Sequence, residues 1–317
     1  MSFSDELLDW YSTHKRDLPW RHNATAYQVL VSEIMLQQTQ VSRVIDKYKE
    51  FLTLFPTLSD LALASKAEVI QAWSGLGYNR RALLLQKFAV EVMNKYDGEI
   101  PRVREALLKL SGMGPYTTGA VLSFAFNLEE PAIDVNVRRI FLRYFEGKDQ
   151  GEPLDRSGEK KLFDLAAREI PVGKSSVFHN ALMDFGSLVC MRKEPLCSLC
   201  PLHQSCRFFP LYEVGKKEVL QVREKKKEQG VNENGKFIPN RIFRGRIVEW
   251  VRKNERKKVR IEELGLAVKK DYTSVDEEWL LKLCMKLEKE GLFKMRKNNE
   301  SKPESMRDKE VLDFSLG

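Results

Sequence analysis

Apolar residues recur at three- and four-residue intervals along most of the first 208 positions, and few runs alternate with period two. That spacing lines one side of an α-helix, so residues 1–208 read as a series of amphipathic helices. One runs from Tyr27 to Val41, behind Thr25 and Gln28 in capping-box spacing. Others are expected over 57–73, 80–95, 102–110, 115–127, 135–146, 157–170 and 175–189. The texture changes after Cys206. Residues 209–238, which include GKKEVLQVREKKKEQGVNENGK, are charged and poor in apolar positions, and read as a linker. Periodicity returns over 239–298. IFRGRIVEWVRK predicts a first helix, RIEELGLAVKK a short second, and DEEWLLKLCMKLEKEGLFKMRK a third opened by Ser274 and Glu277. Three helices followed by GLFKMRK suggest a small winged-helix-like module; the plainer alternative is a helical dimerisation or partner-docking module. Residues 299–317 read as a disordered tail. The fold class is therefore all-α, with no internal repeat.

Composition adds a constraint. The chain of 317 residues is 43% hydrophobic, enough for a packed core. Its formal net charge is +8 and its isoelectric point about 9.1, a balance that suits a nucleic-acid partner without establishing one. No early apolar run has secretory flanks and none approaches a membrane span, so a cytoplasmic location with no membrane partner is expected. In a reducing compartment, clustered cysteines read as a metal site rather than a disulfide framework.

Such a cluster is present. Four of the five cysteines fall in Cys190-x6-Cys197-x2-Cys200-x5-Cys206. Four thiolates hold either a tetrahedral zinc or a [4Fe-4S] cluster, and thiolate softness alone does not decide between them. The fifth, Cys284, lies on the apolar face of a predicted helix and reads as core. Upstream, LSGMGPYTTGA at 110–120 places Gly112 and Gly114 between two helices, with Pro115 suited to the first position of the second. Free N–H groups at such a helix start receive phosphate oxygens. A plain helix–helix turn is the commoner use of the same pattern.

Taken together, the six-two-five cysteine spacing, LSGMGPYTTGA and the following AIDVNVRR resemble the helix-hairpin-helix DNA glycosylases related to endonuclease III. The resemblance covers about two-thirds of the chain. It implies a two-lobed helical fold and a [4Fe-4S] cluster on Cys190, Cys197, Cys200 and Cys206. Arg192 and Lys193 in the cluster loop would then face DNA phosphate, with Gly112 and Gly114 in the hairpin. Bifunctional relatives place a lysine amine after the hairpin. Tyr116 stands there here and cannot form a Schiff base, which implies base removal without coupled strand cleavage.

Glu33 narrows the resemblance. It sits in SEIMLQQTQV, similar to the motif of the adenine DNA glycosylase (MutY) family, in which this glutamate is the general acid. The physical requirement is plain: the leaving base must gain a proton, and the sugar's developing positive charge must be stabilised. Two carboxylates in different environments divide those tasks. Glu33, among Val31, Ile34, Met35 and Leu36, should have a raised pKa if buried. Glu33, Leu36, Gln37 and Gln40 are expected on one helical face. Asp134 is expected at a helix start, where free N–H groups favour the anion. The resemblance assigns it to the sugar cation and Asn136 to a neighbouring polar contact, with Arg138 and Arg139 reaching phosphate. It also implies a base pocket from RDLPWR (Arg16, Leu18, Trp20, Arg21), Gln38 and Asp184. A DNA wedge in GLGYNRR would use Tyr78 and Asn79, with Gln37 or Gln38 filling the stack or hydrogen-bonding to exposed base edges.

Two departures stand out. Asn79 replaces a second tyrosine found in many adenine glycosylases. No β-rich Nudix-like domain follows the cluster, although that element checks for 8-oxoguanine in the family. The expected partner is double-stranded DNA containing mispaired adenine, bound by a monomer at the nucleoid. The rival readings are a thymine or uracil mismatch glycosylase of the same superfamily and a non-catalytic DNA-binding protein.

Overall fold

The computed structural model describes residues 2–149, 154–215, 228–254, 258–297 and 311–316. In chain order the helices are α1 (Phe3–His14), α2 (Ala26–Leu36), α3 (Val41–Leu54), α4 (Leu58–Leu63), α5 (Lys66–Ala72), α6 (Arg80–Lys95), α7 (Arg104–Leu107), α8 (Pro115–Ala120), α9 (Val135–Phe141), α10 (Arg156–Glu169), α11 (Ser175–Leu188), α12 (Phe209–Gly215), α13 (Asn240–Lys253), α14 (Ile261–Val268) and α15 (Glu277–Lys289). Short strands β1 (Gly230–Glu233), β2 (Lys236–Pro239), β3 (Lys258–Arg260), β4 (Phe293–Lys297) and β5 (Val311–Leu316) complete the set. The mostly helical reading holds, and the contacts divide the chain into two units: 1–37 with 95–224, and 38–94 with 225–317.

In the first unit, α1 packs its buried Phe3, Leu7 and Trp10 against Ile140 and Phe141 of α9 and Phe178 and Phe185 of α11. Phe3 meets Phe141 edge-on at 5.5 Å between centroids. Each such buried aromatic contributes on the order of 2 kcal/mol. Gly186 of α11 lies so close to α9 that an added Cβ would stand 2.8 Å from the Cβ of Asn136. A glycine is therefore what lets the helix carrying Asn136 sit tight on its neighbour.

In the second unit, Phe243, Ile247 and Val251 of α13, Leu264 of α14, and Leu280, Cys284 and Leu287 of α15 form one buried cluster with Ile70 of α5. Cys284 is core, as expected. The strands order β3-β5-β4, all antiparallel.

Several boundaries depart from the periodicity. Helix α2 stops at Leu36 because Gln37 leaves helical geometry and Gln38 takes a left-handed φ of 58°. Gln37 is thus a helix cap and Gln40 caps α3, so the expected single face over Glu33–Gln40 does not form. The 57–73 stretch splits into α4 and α5 because Thr57 and Ser65 each close a capping box. At the third carboxy-terminal helix the box is Thr273 with Asp276, not Ser274 with Glu277. Part of the expected linker is a hairpin, β1–β2, turned by Asn234 and Gly235 at positive φ. The rest of its charged run falls at 216–227, outside the described residues. The expected disordered tail contributes β5, whose buried Phe314 stacks edge-on against Phe293 at 5.2 Å.

Candidate active site

The site is built on α2, α8 and the start of α9, all in the first unit. Thr25 closes the capping box with Gln28 and starts α2, whose middle is buried on all sides: Val29, Leu30, Val31, Ile34 and Met35 surround Glu33. Glu33 itself is 8% exposed. A carboxyl held there resists ionisation, and burial, with a smaller push from the Asp134 charge, raises its pKa to about 7. Two groups oppose the rise: the Tyr116 hydroxyl, which donates to Glu33 Oε2 at 2.7 Å, and more weakly the Arg21 charge.

Tyr116 comes from the hairpin. Gly112 takes a left-handed φ of 79°, the one place in the turn where glycine's freedom is used. Gly114 is extended at φ −98° and caps α8, with open space where a Cβ would stand. Pro115 opens the helix, and Tyr116 follows with its side chain partly buried. Burial first, then the charges of Glu33 and Asp134, keep the phenol protonated well above its ordinary range.

Asp134 caps α9, as expected. Its Oδ1 accepts from the N–H groups of Asn136 and Val137, both at 2.8 Å, and its Oδ2 from Asn136 Nδ2 at 2.8 Å. The expectation of an anion favoured by the helix start is only half of the balance. Burial raises its pKa more than these donors lower it. Asn136 in turn accepts from Arg139 Nη2 at 2.8 Å, so carboxylate, amide and guanidinium form one chain of hydrogen bonds.

Other predicted residues take different places. Arg139 does not reach outward: it is 3% exposed and donates to the carbonyls of Cys190 and Gly186. Arg138 pairs with Glu159. Asp184 is fully buried beneath two arginines, accepting from Arg16 N and Nε and from both terminal nitrogens of Arg21 at 2.7–2.9 Å. Burial alone would raise its pKa, but those donors outweigh it and hold the carboxyl below its ordinary value. Leu18 and Trp20, which lie between the two arginines of this clamp in sequence, are buried. Arg192 and Lys193 are exposed.

Gln38, Tyr78 and Asn79 belong to the second unit. Tyr78 is 46% exposed at a left-handed φ of 45°, in a loop whose Gly75 and Gly77 are also left-handed. Asn79 is 7% exposed, and its Oδ1 accepts from Arg252 Nη2 at 2.9 Å. The expectation of a DNA-facing Asn79 is corrected on that ground: a residue turned inward onto a buried arginine has no free face for a base.

Cys190, Cys197, Cys200 and Cys206 line one apolar cavity with Ile140, Phe185, Leu202 and Phe208. Among the described residues, no group of three His, Cys, Asp or Glu side chains stands in the arrangement that holds a single metal ion. The sulfurs nonetheless have a counter-charge that the sequence reading missed. Arg143, 1% exposed, places Nη1 3.6 Å from Cys190 Sγ and bonds the carbonyls of Met191 and Arg192. A buried cation that stands beside Cys190 and also pairs with Asp149 at 2.9 Å, on a cavity that all four cysteines line, fits an anionic thiolate-bound group. An arginine inside the apolar run IFLRYF was the signal for it.

Comparison with known proteins bears on this geometry. Residues 31–163 match the family model described as HhH-GPD superfamily base excision DNA repair protein. The chain is 42% identical over 205 residues to the adenine DNA glycosylase of Mycolicibacterium smegmatis, covering 64% of this chain and 68% of that one. It is 33% identical to the adenine DNA glycosylase of Buchnera aphidicola from Acyrthosiphon pisum, covering 81% and 71%. The mouse adenine DNA glycosylase is 40% identical, but the chain spans less than half of its length, 46%. Among solved structures, a thermostable thymine-DNA glycosylase matches with TM-score 0.61 and 33% identity over 66% of this chain and 95% of that one. An endonuclease III trapped on DNA matches with TM-score 0.56 and 25% identity over the same shares. By its sequence relatives, the chain belongs to the adenine DNA glycosylase family of the HhH-GPD superfamily.

Proposed function

We propose that this protein is a monofunctional DNA glycosylase that hydrolyses the N-glycosidic bond of adenine mispaired with guanine or 8-oxoguanine in double-stranded DNA. The observation that carries the reading is the buried Glu33 carboxyl with Tyr116 bonded to one of its oxygens. A pKa of about 7 leaves a large protonated fraction at neutral pH, which is what a general acid requires. With Oε2 taken by the phenol, Oε1 carries the proton that passes to N7 of the departing adenine. Positive charge then develops on the sugar. A cation arriving beside Asp134 favours its ionised form, and the Asn136 and Val137 N–H groups already stabilise that form. Water, or first Asp134 itself as a covalent partner, completes hydrolysis to an abasic site. Tyr116 has no amine, so borohydride is expected to trap no enzyme–DNA adduct.

The deciding experiment is a panel of mispaired duplexes. Adenine release from A:G and A:8-oxoguanine supports the reading. Release of thymine or uracil from T:G or U:G favours the rival activity, which the thymine-DNA glycosylase likeness keeps in view. Binding without release of any base would favour a non-catalytic DNA-binding protein.

Two pH predictions follow from the acid. Above pH 7 the single-turnover rate should fall about tenfold per unit as Glu33 loses its proton. Tyr116→Phe removes the bond that lowers the Glu33 pKa, so this alkaline limb should move to higher pH. An unmoved limb in a pH series would separate Glu33 from the reaction.

Cys190, Cys197, Cys200 and Cys206 would hold a [4Fe-4S] cluster, with Arg143 balancing its charge. When bound, the group serves as a structural brace and supplies no step of the hydrolysis. It would fix the loop on which Arg192 and Lys193 meet phosphate. Purified protein should be brown with broad absorption in the blue; colourless zinc-loaded protein would overturn this. We read residues 1–208 as the glycosylase domain and 239–298 as a winged-helix-like module. A monomer acting at the nucleoid is the accompanying expectation; among the described residues no helix is long and apolar enough to cross a membrane.

A further inference from the structure

Residues 127–134 join the helix that carries Tyr116 to the helix that Asp134 caps, and the start of α11 holds this segment along its length. Asn127 turns the chain at a φ of 53°; its Nδ2 donates to the Gly173 carbonyl at 2.7 Å and its Oδ1 accepts from Ser176 N at 2.9 Å. Glu129 Oε1 accepts from Gly173 N at 2.8 Å. Farther along, Ala132 is fully buried and its N–H donates to His179 Nε2 at 3.1 Å. Gly119 of α8 closes on the same stretch, since an added Cβ would stand 2.2 Å from the Pro131 carbonyl oxygen.

His179 lies two helical turns before Gly186, so the two share one face of α11. His179 meets the chain at Ala132, just before Asp134, and Gly186 packs on Asn136, just after it. One helix thus grips the backbone on both sides of the catalytic carboxylate. The imidazole is suited to its half of that grip. It is 2% exposed, and it accepts at Nε2 only when neutral with its proton on Nδ1. Nδ1 lies 2.8 Å from the Ser175 carbonyl, which can only accept, so backbone groups at both ends fix that tautomer. Burial, opposed by the Ser175 carbonyl, lowers the His179 pKa to about 4, and the ring is neutral wherever Glu33 titrates.

We propose that His179 is a positioning residue for the hydrolysis: it fixes the Ala132 backbone and, through it, the place of the Asp134 carboxylate beside the sugar. This role rests on the glycosylase reading for what Asp134 does. The bonds from Asn136 and Val137 orient the carboxylate within α9. The segment from Asn127 to Ala132 sets where the start of α9 stands relative to Glu33 and Tyr116. Misplacing a reacting group by about 1 Å costs about 10²-fold in rate.

The test compares full-length wild type with His179→Leu and His179→Gln on an A:G duplex. Leucine fills the space without an acceptor; glutamine returns an amide oxygen near the place of Nε2. Single-turnover excision at saturating enzyme should fall about 10- to 100-fold in His179→Leu. Affinity for the duplex, read by anisotropy, should stay within about twofold, and His179→Gln should recover the rate to within about fivefold of wild type. Loss of packing alone would lower the melting temperature, spare the rate of the folded fraction and gain nothing from glutamine. Hydrogen exchange gives a readout without turnover: the amides of residues 132–137 should exchange about tenfold faster in His179→Leu, with those of α6 unchanged. Asn127→Gly removes the exposed end of the same brace while keeping its left-handed φ, and should slow excision about threefold at unchanged affinity. Wild-type rate and exchange in His179→Leu, or in Asn127→Gly if leucine prevents folding, overturn the proposal. So does a loss of rate that glutamine leaves unrecovered. Absence of adenine release by wild type would sink the glycosylase reading instead, and exchange at 132–137 would still decide whether His179 holds the segment.

Discussion

Glu33→Gln should reduce adenine excision by about 10²–10⁴-fold while binding to mispaired DNA survives. Glutamine keeps an oxygen to accept the Tyr116 hydroxyl, and its volume matches, so the packing of α2 is preserved. What it lacks is the proton. The same substitution should stabilise the fold at alkaline pH. The folded pKa, about 7, lies above the ordinary value of 4.5, so the fold favours the protonated form. Below pH 4.5 both states are protonated and nothing is lost. Between 4.5 and 7 the unfolded chain sheds its proton first and folding loses free energy; above 7 the loss is complete, at about 3 kcal/mol. Thermal melts of wild type and variant at pH 5 and pH 8 should diverge only at the higher value. Unaltered excision by the glutamine form would remove Glu33 from the chemistry.

Asp184→Asn has the largest expected cost in stability. Its carboxylate is fully buried and accepts four hydrogen bonds from Arg16 and Arg21. An amide in the same place turns one acceptor oxygen into a donor facing a guanidinium and strands positive charge. Breaking a buried pair from one side costs about 3–5 kcal/mol. Arg16 is partly exposed and will recover some solvation, so the lower end applies. The pKa of Asp184 is depressed in the fold, so its contribution is fully present above the unfolded value of 3.8. It is lost as pH falls through the folded value. Chemical denaturation at pH 7 should show the full difference between wild type and variant, and at pH 2–3 a smaller one. A variant as stable as wild type at pH 7 would mean that the clamp is solvated in solution.

Much was legible because local chemistry carried it. Helical periodicity set α6, α10 and α11 within one residue of their expected bounds, and Asp134 marks the expected start of α9. Cysteine spacing located four sulfurs that line one cavity. The apolar neighbours of Glu33 already implied an acid with a raised pKa, because burial penalises charge whatever the surrounding topology. The predicted end of α2 failed because the left-handed turn at Gln38 overrides a helical pattern that runs on past it.

The remainder depended on partners distant in the chain. Arg139 and Asn79 look like polar groups available to DNA until Cys190 and Arg252 are brought to them across 51 and 173 residues. Strand β5 escaped because VLDFSL is short and acquires its order only by pairing with β3 and β4. By itself the sequence determined which residues carry charge, sulfur or a labile proton, since these are properties of the side chains. Only the tertiary structure decided which of them are turned inward and what they bond to, since burial and pairing arise when segments remote in sequence are packed against one another.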